Sequence, residues 1–450
     1  MTTRVVILAA GKGTRMRSRL PKILHPIGGQ PMVHYALAAA RQAGDPLPVL
    51  VIGHQADSLR ATVGDQAEYV QQLEQNGTGH AVMQAQALLE GKATHVLVSN
   101  ADLPLLTGES LAALAEAHAK SKATITLLTL KQKNARGFGR IKRLKGKAVA
   151  IIEEAEATPK QLLIDELNVG TYCFDAKWLW AALPKLKPSP KKGEYYLTDL
   201  LAIAVKQGKK IHTVELQDAN EAIGINTREH LAEAELALRQ RINRQWMLAG
   251  VTIQDPLTTY IEPSVMIGQD TTILPNTMLL AGTQIGEDCI IGPNTSISHS
   301  QVGNHCQIQA AVVEHAVIEN HVDIGPFAHL RKGAHLGDGV HMGNFGEIKN
   351  SRLAAGVKMG HFSYIGDATI GKDVNIGAGT ITANYDGKNK NPTVIEDNVF
   401  IGSDTMLVAP LHIGKGARTG AGAVVTKDVP PNTVVAGVPA RAIRKLEGSD

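Results

Sequence analysis

Thr271-Thr-Ile-Leu-Pro-Asn-Thr277-Met-Leu-Leu-Ala-Gly-Thr283-Gln-Ile-Gly-Glu-Asp-Cys289-Ile-Ile-Gly-Pro-Asn-Thr295-Ser-Ile297 sets the rhythm of the last two-fifths of this 450-residue chain. An apolar residue recurs every sixth position, at Ile267, Ile273, Leu279, Ile285, Ile291 and Ile297. The same beat returns at Ile318, Ile324, Leu330, Leu336, Met342 and Ile348, and again at Ile395, Ile401, Leu407, Ile413, Thr419 and Val425. Seventeen of these eighteen positions are apolar, against about eight expected of a chain that is 44% hydrophobic. The residue two before each peak is small: Thr271, Thr277, Thr283, Cys289 and Thr295 in the first run. Side chains on a strand alternate sides, so the peak and the residue two before it point the same way, into a narrow core. Gly often follows the peak, as at Gly286 and Gly402, where a tight turn needs backbone angles that side chains resist. A short strand and a tight turn, repeated, wind into a parallel β-helix of hexapeptide repeats. It should run from 251 to 437 in about ten coils of about eighteen residues each. The beat slips to five at Val302, Leu353 and Ile370, and one polar excursion, Asn384-Tyr-Asp-Gly-Lys-Asn-Lys-Asn-Pro392, interrupts it. Such an excursion from a regular solenoid usually carries function.

Working towards the N-terminus, residues 227–250 contain no Pro and no Gly before Gly250, are rich in Ala, Leu, Glu and Arg, and predict a linker helix. Thr227 can cap its start, and Glu235 and Arg239 are spaced as a supporting pair. Residues 1–226 alternate apolar runs (Val5–Ala10, Val49–Gly53, His95–Ser99) with amphipathic stretches such as Ser110–His118. That alternation predicts an α/β domain with a parallel sheet covered by helices. Residues 438–450 are left as a C-terminal tail. The balance of 46 Lys+Arg against 42 Asp+Glu suits anionic small molecules and gives little support to nucleic-acid binding, with aromatics at only 4%. Cys173, Cys289 and Cys306 have no ligand-like spacing, and the last two fall on the repeat as small core residues. No segment approaches the ~20 apolar residues that cross a bilayer, and the chain reads as cytoplasmic. Of 17 His residues, several (His299, His305, His315, His321, His335, His341) lie off the peaks as face or turn residues.

After the first strand comes Leu8-Ala9-Ala10-Gly11-Lys12-Gly13-Thr14-Arg15-Met16, which should open a helix. Glycines let backbone N–H groups approach a phosphate chain. A dinucleotide fold would want Gly where Met16 stands, and a P-loop would want Gly-Lys-Ser/Thr after four spacers. A plain turn remains the simple alternative, but Lys12, Arg15 and Lys22 clustered there point to a triphosphate site. Asp102 follows the run His95–Ser99 and so lies at the carboxyl edge of the sheet, where open α/β sheets bind ligands. As a lone feature it could equally be a turn or capping Asp.

Together with Pro21-Lys22, Asn76-Gly-Thr-Gly-His80, Asp102-Leu-Pro-Leu105, Glu194-Tyr-Tyr-Leu-Thr-Asp199 and the hexads, the glycine loop resembles a known family over nearly the whole chain. That family is the bifunctional N-acetylglucosamine-1-phosphate uridylyltransferase / glucosamine-1-phosphate N-acetyltransferase. The resemblance implies a Rossmann-like nucleotidyltransferase domain followed by a left-handed β-helix, and a homotrimer with each acetylation site between neighbouring subunits. It implies that Leu8, Ala9, Ala10, Gly11, Lys12 and Gly13 line the nucleotide, that Arg15 and Lys22 face phosphates, and that Gln72, Gly77 and Thr78 read the uracil. Gly139, Glu153, Asn168 and Asn226 would hold the sugar nucleotide, and Asp102 and Asn226 would give oxygen ligands to Mg²⁺. Where the family commonly has Tyr-Gly before the metal Asp this chain has Asn100-Ala101, and Asn168-Val169-Gly170 stands for its usual Asn-Thr-Gly. The motif Glu194–Asp199 has no physical role that its residues alone suggest. The chemistry asks for little: the sugar phosphate attacks the α-phosphorus of UTP in line, pyrophosphate leaves, and positioning with charge neutralisation suffices.

On the β-helix, Arg331, Lys349 and His361 are expected to line one lateral groove, because residues about eighteen apart stack in a solenoid. His361 would be the general base on the substrate amine as it attacks acetyl-CoA. The family adds Tyr364, Asn375 and Lys390 to Arg331 and Lys349 for the sugar phosphate. It adds Ala378, Asn384, Tyr385, Ser403, Ala421 and Arg441 for coenzyme A. Its C-terminal arm often offers an Arg where this chain has Val438, leaving Arg441 or Arg418 as the replacement. Two other readings stand beside the bifunctional one: a single-activity sugar-nucleotide pyrophosphorylase with a regulatory β-helix, and a non-catalytic β-helix scaffold.

Overall fold

The run Val5–Ala10 forms the strand Thr3–Ala9 at the centre of a mixed sheet. The computed structural model describes residues 2–53, 56–135, 137–191 and 193–446. It divides into two units, Met1–Leu238 and Arg239–Asp450. In the first, the strands lie in the order Ile211–Glu215, Ile125–Lys131, Glu166–Asp175, His95–Asn100, Thr3–Ala9, Val49–Ile52 and Glu68–Gln71. Val6, Val49, Val51, Val96 and Val98 are buried on one face and Val5, Ile7, Leu50, Ile52 and Leu97 on the other. Burial on both faces explains why these strands read as continuous apolar runs. The sheet is not wholly parallel: Glu166–Asp175 runs antiparallel to both its neighbours. The chain reaches it through the antiparallel hairpin Arg140–Leu144 and Lys147–Ile152, which reverses its direction without a crossover helix.

Registers Ala9↔Ile52, Ile52↔Gln71 and Leu8↔Asn100 bring the carboxyl ends of four parallel strands to one edge. The glycine loop, Gln72 and Asp102 all follow from that edge. The loop opens only a single 3₁₀ turn, Thr14–Met16, and the first α-helix is Met32–Gln42. The expected helix is absent there because Gly13 and Arg17 both take left-handed angles, which bend the chain before an i→i−4 ladder can form. The loop therefore presents no α-helix N-terminus, and what charge it offers comes from its cationic side chains.

The predicted linker helix is Arg228–Leu248, with the His230 N–H donating to Thr227 Oγ1 at 3.2 Å. The division between the two units falls inside it. Glu235 accepts from the Gly28 N–H at 2.9 Å, and Arg239 lies over the Tyr260 ring at 4.3 Å, so both are engaged away from each other.

In the second unit, strands mostly two residues long stack into three sheets of 12, 10 and 9 strands, parallel throughout except for the last strand of the first. All eighteen hexad peaks named above are buried. So are Thr271, Thr277, Thr283, Cys289 and Thr295. The threonine hydroxyls and the Cys289 thiol are satisfied by the backbone, as where Thr271 Oγ1 donates to Gly286 O at 2.8 Å, so small polar residues cost little in this core. Four of the off-peak histidines sit at corners, His299 stacking on His315 at 4.6 Å and His305 on His321 at 5.0 Å, while His335 and His341 lie on strand faces. At the C-terminus, Ala440–Lys445 folds back antiparallel on Thr433–Gly437. The segment expected as a tail thus extends the sheet, giving the last coil's open edge a partner; residues 447–450 lie outside the described residues. Among the described residues no helix is long and apolar enough to cross a membrane.

Candidate functional site

At the carboxyl edge of the sheet lies a cleft of about 500 Å³, lined among others by Leu8, Ala9, Ala10, Gly11, Lys12, Lys22, Gln72, Gly77, Thr78, Asn100 and Asp102. Residues from three separate strand ends, those of Thr3–Ala9, Glu68–Gln71 and His95–Asn100, meet there, joined by Glu194 and Tyr196. Lys22 is its electrostatic hub. Its Nζ donates to Asp102 Oδ2 at 2.6 Å and to Asn226 Oδ1 at 3.1 Å, while Arg15 Nη2 donates to the same Asn226 oxygen at 2.9 Å. Gly13 makes room for this lysine, since a Cβ on Gly13 would come within 2.6 Å of Lys22 Cβ. Two oxygens converging on one cation are the hard donors that Mg²⁺ prefers, and Mg²⁺ needs only one or two protein groups beside phosphate. The residues present fit such an ion.

Two ties hold Asp102 and Asn226 at this spacing. The Ile225 N–H donates to Asp102 O at 2.9 Å. One carboxylate oxygen of the buried Glu221 accepts from Thr107 N at 2.9 Å and from Thr107 Oγ1 at 3.0 Å. Glu221 escaped the sequence reading because its partner lies 114 residues away and nothing local marks it.

The motif Glu194–Asp199 acquires a role. Tyr195 N donates to Asn76 O at 2.8 Å, Gly79 N donates to Tyr195 O at 2.8 Å, and Leu197 N donates to Thr78 Oγ1 at 3.0 Å. The segment clamps the loop 76–80 to the wall of the cleft. A Cβ on Gly77 would meet the Tyr195 backbone at 2.7 Å, so only Gly allows that approach. Thr198 Oγ1 also donates to Glu153 Oε1 at 2.8 Å.

Gly139, Asn168 and Gly170 meet at the irregularity in Glu166–Asp175. Asn168 N donates to Gly139 O at 2.8 Å, and Asn168 Nδ2 donates to Tyr172 Oη at 2.7 Å. The unusual Asn100 donates to Gly170 O at 3.1 Å, so it braces the bulge in Glu166–Asp175. Ala101 is fully buried, with its N–H on Leu8 O at 3.0 Å. Gly139, Glu153 and Asn168 do not line the cleft that gathers the nucleotide-side residues.

In the second unit the expected residues fall into two groups. Leu330↔Ile348 and Lys349↔Gly366 are in register, so Arg331 and Lys349 occupy one column at the end of a face. Tyr364 lies on the same strand as Gly366, and its phenol occupies the space a Cβ there would need. Lys390 adjoins Lys349 and pushes its ammonium pKa down, with Arg331 adding to the effect. Arg331 donates to Glu347 Oε1 at 2.8 Å, which holds the guanidinium's pKa up. Asn384, at the root of the excursion, is buried and donates to Asp367 Oδ2 at 2.5 Å. Asp386 caps the loop's turn through Lys388 N at 2.8 Å and Asn389 N at 2.7 Å, and Tyr385 is exposed.

His361 is not in that column. Registers Lys358↔Asn375, Asn375↔Phe400 and Phe400↔Arg418 instead align His361, Ala378, Ser403 and Ala421 along one corner. His361 lies at the bend that precedes the strand Ser363–Gly366, whereas the cationic column passes through Gly366 at the strand's other end. The single groove expected for Arg331, Lys349 and His361 is thus not formed within one chain. Lys349 and His361 are twelve residues apart, two-thirds of a coil. Asn375 sits on the face before the corner. Arg441 pairs opposite Ala436 and donates to Ala440 O at 3.0 Å.

A MobA-like NTP transferase domain model matches residues 5–191, and a bacterial transferase hexapeptide model (six repeats) matches 264–299 and 392–427. Fold and site define a nucleotidyltransferase joined to a hexapeptide transferase whose coil is a left-handed parallel β-helix. The chain is 50% identical over 426 residues to the bifunctional protein GlmU of Heliobacterium modesticaldum, covering 94% of this chain and 93% of that protein. It is 46% identical over 429 residues to that of Desulfitobacterium hafniense strain DSM 10664 / DCB-2, covering 95% and 94%. For the Streptococcus agalactiae protein the identity is 44% over 438 residues, covering 97% and 95%. This chain belongs to the bifunctional GlmU family.

Proposed function

We propose that this chain makes UDP-N-acetylglucosamine in two steps. Glucosamine-1-phosphate is first acetylated from acetyl-CoA on the β-helix. UTP and N-acetylglucosamine-1-phosphate then give the sugar nucleotide and pyrophosphate in the N-terminal cleft. The observation that carries the reading is Lys22 between Asp102 and Asn226, beside the glycine loop, on the same chain as a complete hexad domain. In the cleft, an oxygen of the sugar phosphate bonds to the α-phosphorus of UTP while the bond to the pyrophosphate oxygen breaks. Lys12, Arg15 and Lys22 neutralise charge on the phosphates, and Gln72, Gly77 and Thr78 hold the base. Asp102 and Asn226 would hold Mg²⁺, which supplies Lewis-acid stabilisation of phosphoryl oxygens when bound. Gly139, Glu153 and Asn168 take the sugar.

On the β-helix, Arg331, Lys349, Tyr364, Asn375 and Lys390 bind the sugar phosphate. His361 takes the proton from the amine as nitrogen attacks the thioester and the carbon–sulfur bond breaks. Ala378, Asn384, Tyr385, Ser403, Ala421 and Arg441 contact coenzyme A. The separation of His361 from the cationic column supports completion of the site by a neighbouring copy in a homotrimer. The use of UTP and acetyl-CoA as substrates supports a cytoplasmic location.

Two assays on the purified chain test this reading: thiol release from acetyl-CoA with glucosamine-1-phosphate, and pyrophosphate release from UTP, Mg²⁺ and N-acetylglucosamine-1-phosphate. Both should be positive. Pyrophosphate without thiol would reduce the β-helix to a regulatory or assembly platform.

A further inference from the structure

We propose that His80 fixes which way the Gln72 side-chain amide faces, and thereby sets the cleft's selectivity for uracil over cytosine. The inference rests on the assignment of Gln72 to base recognition. Gln72 is buried yet lines the cleft. Its Nε2 lies 3.1 Å from Gly77 O and 3.1 Å from His80 Nδ1. A main-chain carbonyl can only accept, so the amide must turn its NH₂ towards Gly77 O. The second proton of that NH₂ then points at His80 Nδ1, which accepts it. Both Gln72 protons are thus engaged, and among the described residues nothing donates to Gln72 Oε1. The carbonyl oxygen is the group the amide can offer a ligand.

The two anchors are themselves fixed. Gly77 is clamped against the Tyr195 backbone, so its carbonyl cannot swing away. His80 is anchored through its main chain, where Gln84 Nε2 donates to His80 O at 3.0 Å; with Nδ1 accepting, the ring's proton sits on Nε2, so Gln84 serves the carbonyl and not the ring. A flipped Gln72 amide would set its oxygen against two acceptors at once. Uracil presents a ring N3–H that an acceptor can read; cytosine presents a lone pair at N3 and an amino group beside it. A fixed carbonyl oxygen favours the first and repels the second. His80 is a positioning residue in this scheme, acting through Gln72.

The test compares kcat/KM for UTP and CTP, with N-acetylglucosamine-1-phosphate and Mg²⁺, in the parent chain, Gln72→Ala, His80→Leu and His80→Asn. Acetyl transfer by each variant checks that the chain is folded. Gln72→Ala and His80→Leu should each lower the UTP:CTP ratio by about tenfold or more, the order expected when a polar discriminator loses its partner. His80→Asn, whose Oδ1 can stand where Nδ1 was, should keep the ratio within about threefold of the parent. A parent-like ratio in His80→Leu while Gln72→Ala lowers it would overturn the role of His80 alone, as would equal loss in the Leu and Asn variants. An unchanged ratio in Gln72→Ala would remove Gln72 from base recognition and the inference with it.

Discussion

Glu221→Ala should impair uridylyl transfer although Glu221 touches no substrate. The carboxylate is buried and accepts two hydrogen bonds from Thr107, at 2.9 and 3.0 Å. Hydrogen bonds to charged groups are worth about 1.5–3 kcal/mol each. Water entering the vacated space would replace part of that, so we expect the N-terminal unit to lose about 2–4 kcal/mol. The catalytic effect follows from geometry. Thr107 ends the loop that begins at Asp102, and Glu221 begins the segment that ends at Asn226. Without the tie, the bond from Ile225 N to Asp102 O, at 2.9 Å, is the backbone link left between the two oxygen donors, beside the Lys22 ammonium that bridges their side chains. A misplacement of about 1 Å can cost on the order of 100-fold in rate, so pyrophosphate release should fall by roughly 10- to 100-fold. The Mg²⁺ concentration for half-maximal rate should rise, because the donors no longer converge. Acetyl transfer in the same preparation should be unchanged. Glu221→Gln, which keeps an acceptor and loses the charge, should fall between the variant and the parent. A Glu221→Ala chain that releases pyrophosphate within twofold of the parent, with the parent's Mg²⁺ dependence, would refute the reasoning.

Asp102→Ala should abolish uridylyl transfer and leave acetylation intact; loss of both would contradict the assignment of the two activities to separate units. His361→Ala should do the reverse, and near-normal acetylation would remove His361 from the mechanism. Lys390→Gln should raise the pKa of Lys349, which Lys390 holds down. The alkaline limb of kcat/KM for acetyl transfer should then move to higher pH while KM for glucosamine-1-phosphate rises, and an unmoved limb would argue against coupling of the two lysines. His118 is buried, and its pKa is lowered to about 4 by burial first and by neighbouring His95 next. As pH falls below the ordinary value near 6.5, the unfolded chain binds a proton that the folded one refuses, so stability declines down to about pH 4 and is flat below. The loss, allowing for partial screening, is about 2 kcal/mol, and urea titrations of the parent and His118→Gln between pH 7 and 4 should show it shrink in the variant.

Repeats were the most legible part of the chain because each coil repeats one local rule, and an error in one hexad is corrected by the next. The phosphate loop was legible in composition but not in shape. Lys12, Arg15 and Lys22 announce their charge, whereas the left-handed Gly13 and Arg17 that stop the helix depend on how Lys22 packs back across the loop. Apolar runs revealed buried strands, but a run buried on both faces looks alike in either direction, so the reversed strand Glu166–Asp175 could not be told from a parallel one. The groove assigned to Arg331, Lys349 and His361 failed by counting: a column holds residues seventeen or eighteen apart, and His361 is twelve beyond Lys349. Glu194–Asp199 shows a deeper limit. Its contribution to the loop 76–80 passes largely through Tyr195 N and O and Leu197 N, groups every residue but proline carries. A motif that works through its backbone looks distinctive in its side chains yet offers no chemistry to read from them. Substitutions that keep the backbone path, such as Tyr195→Phe, should therefore be tolerated, whereas Gly77→Ala should not, because its Cβ would come within 2.7 Å of the Tyr195 carbonyl oxygen.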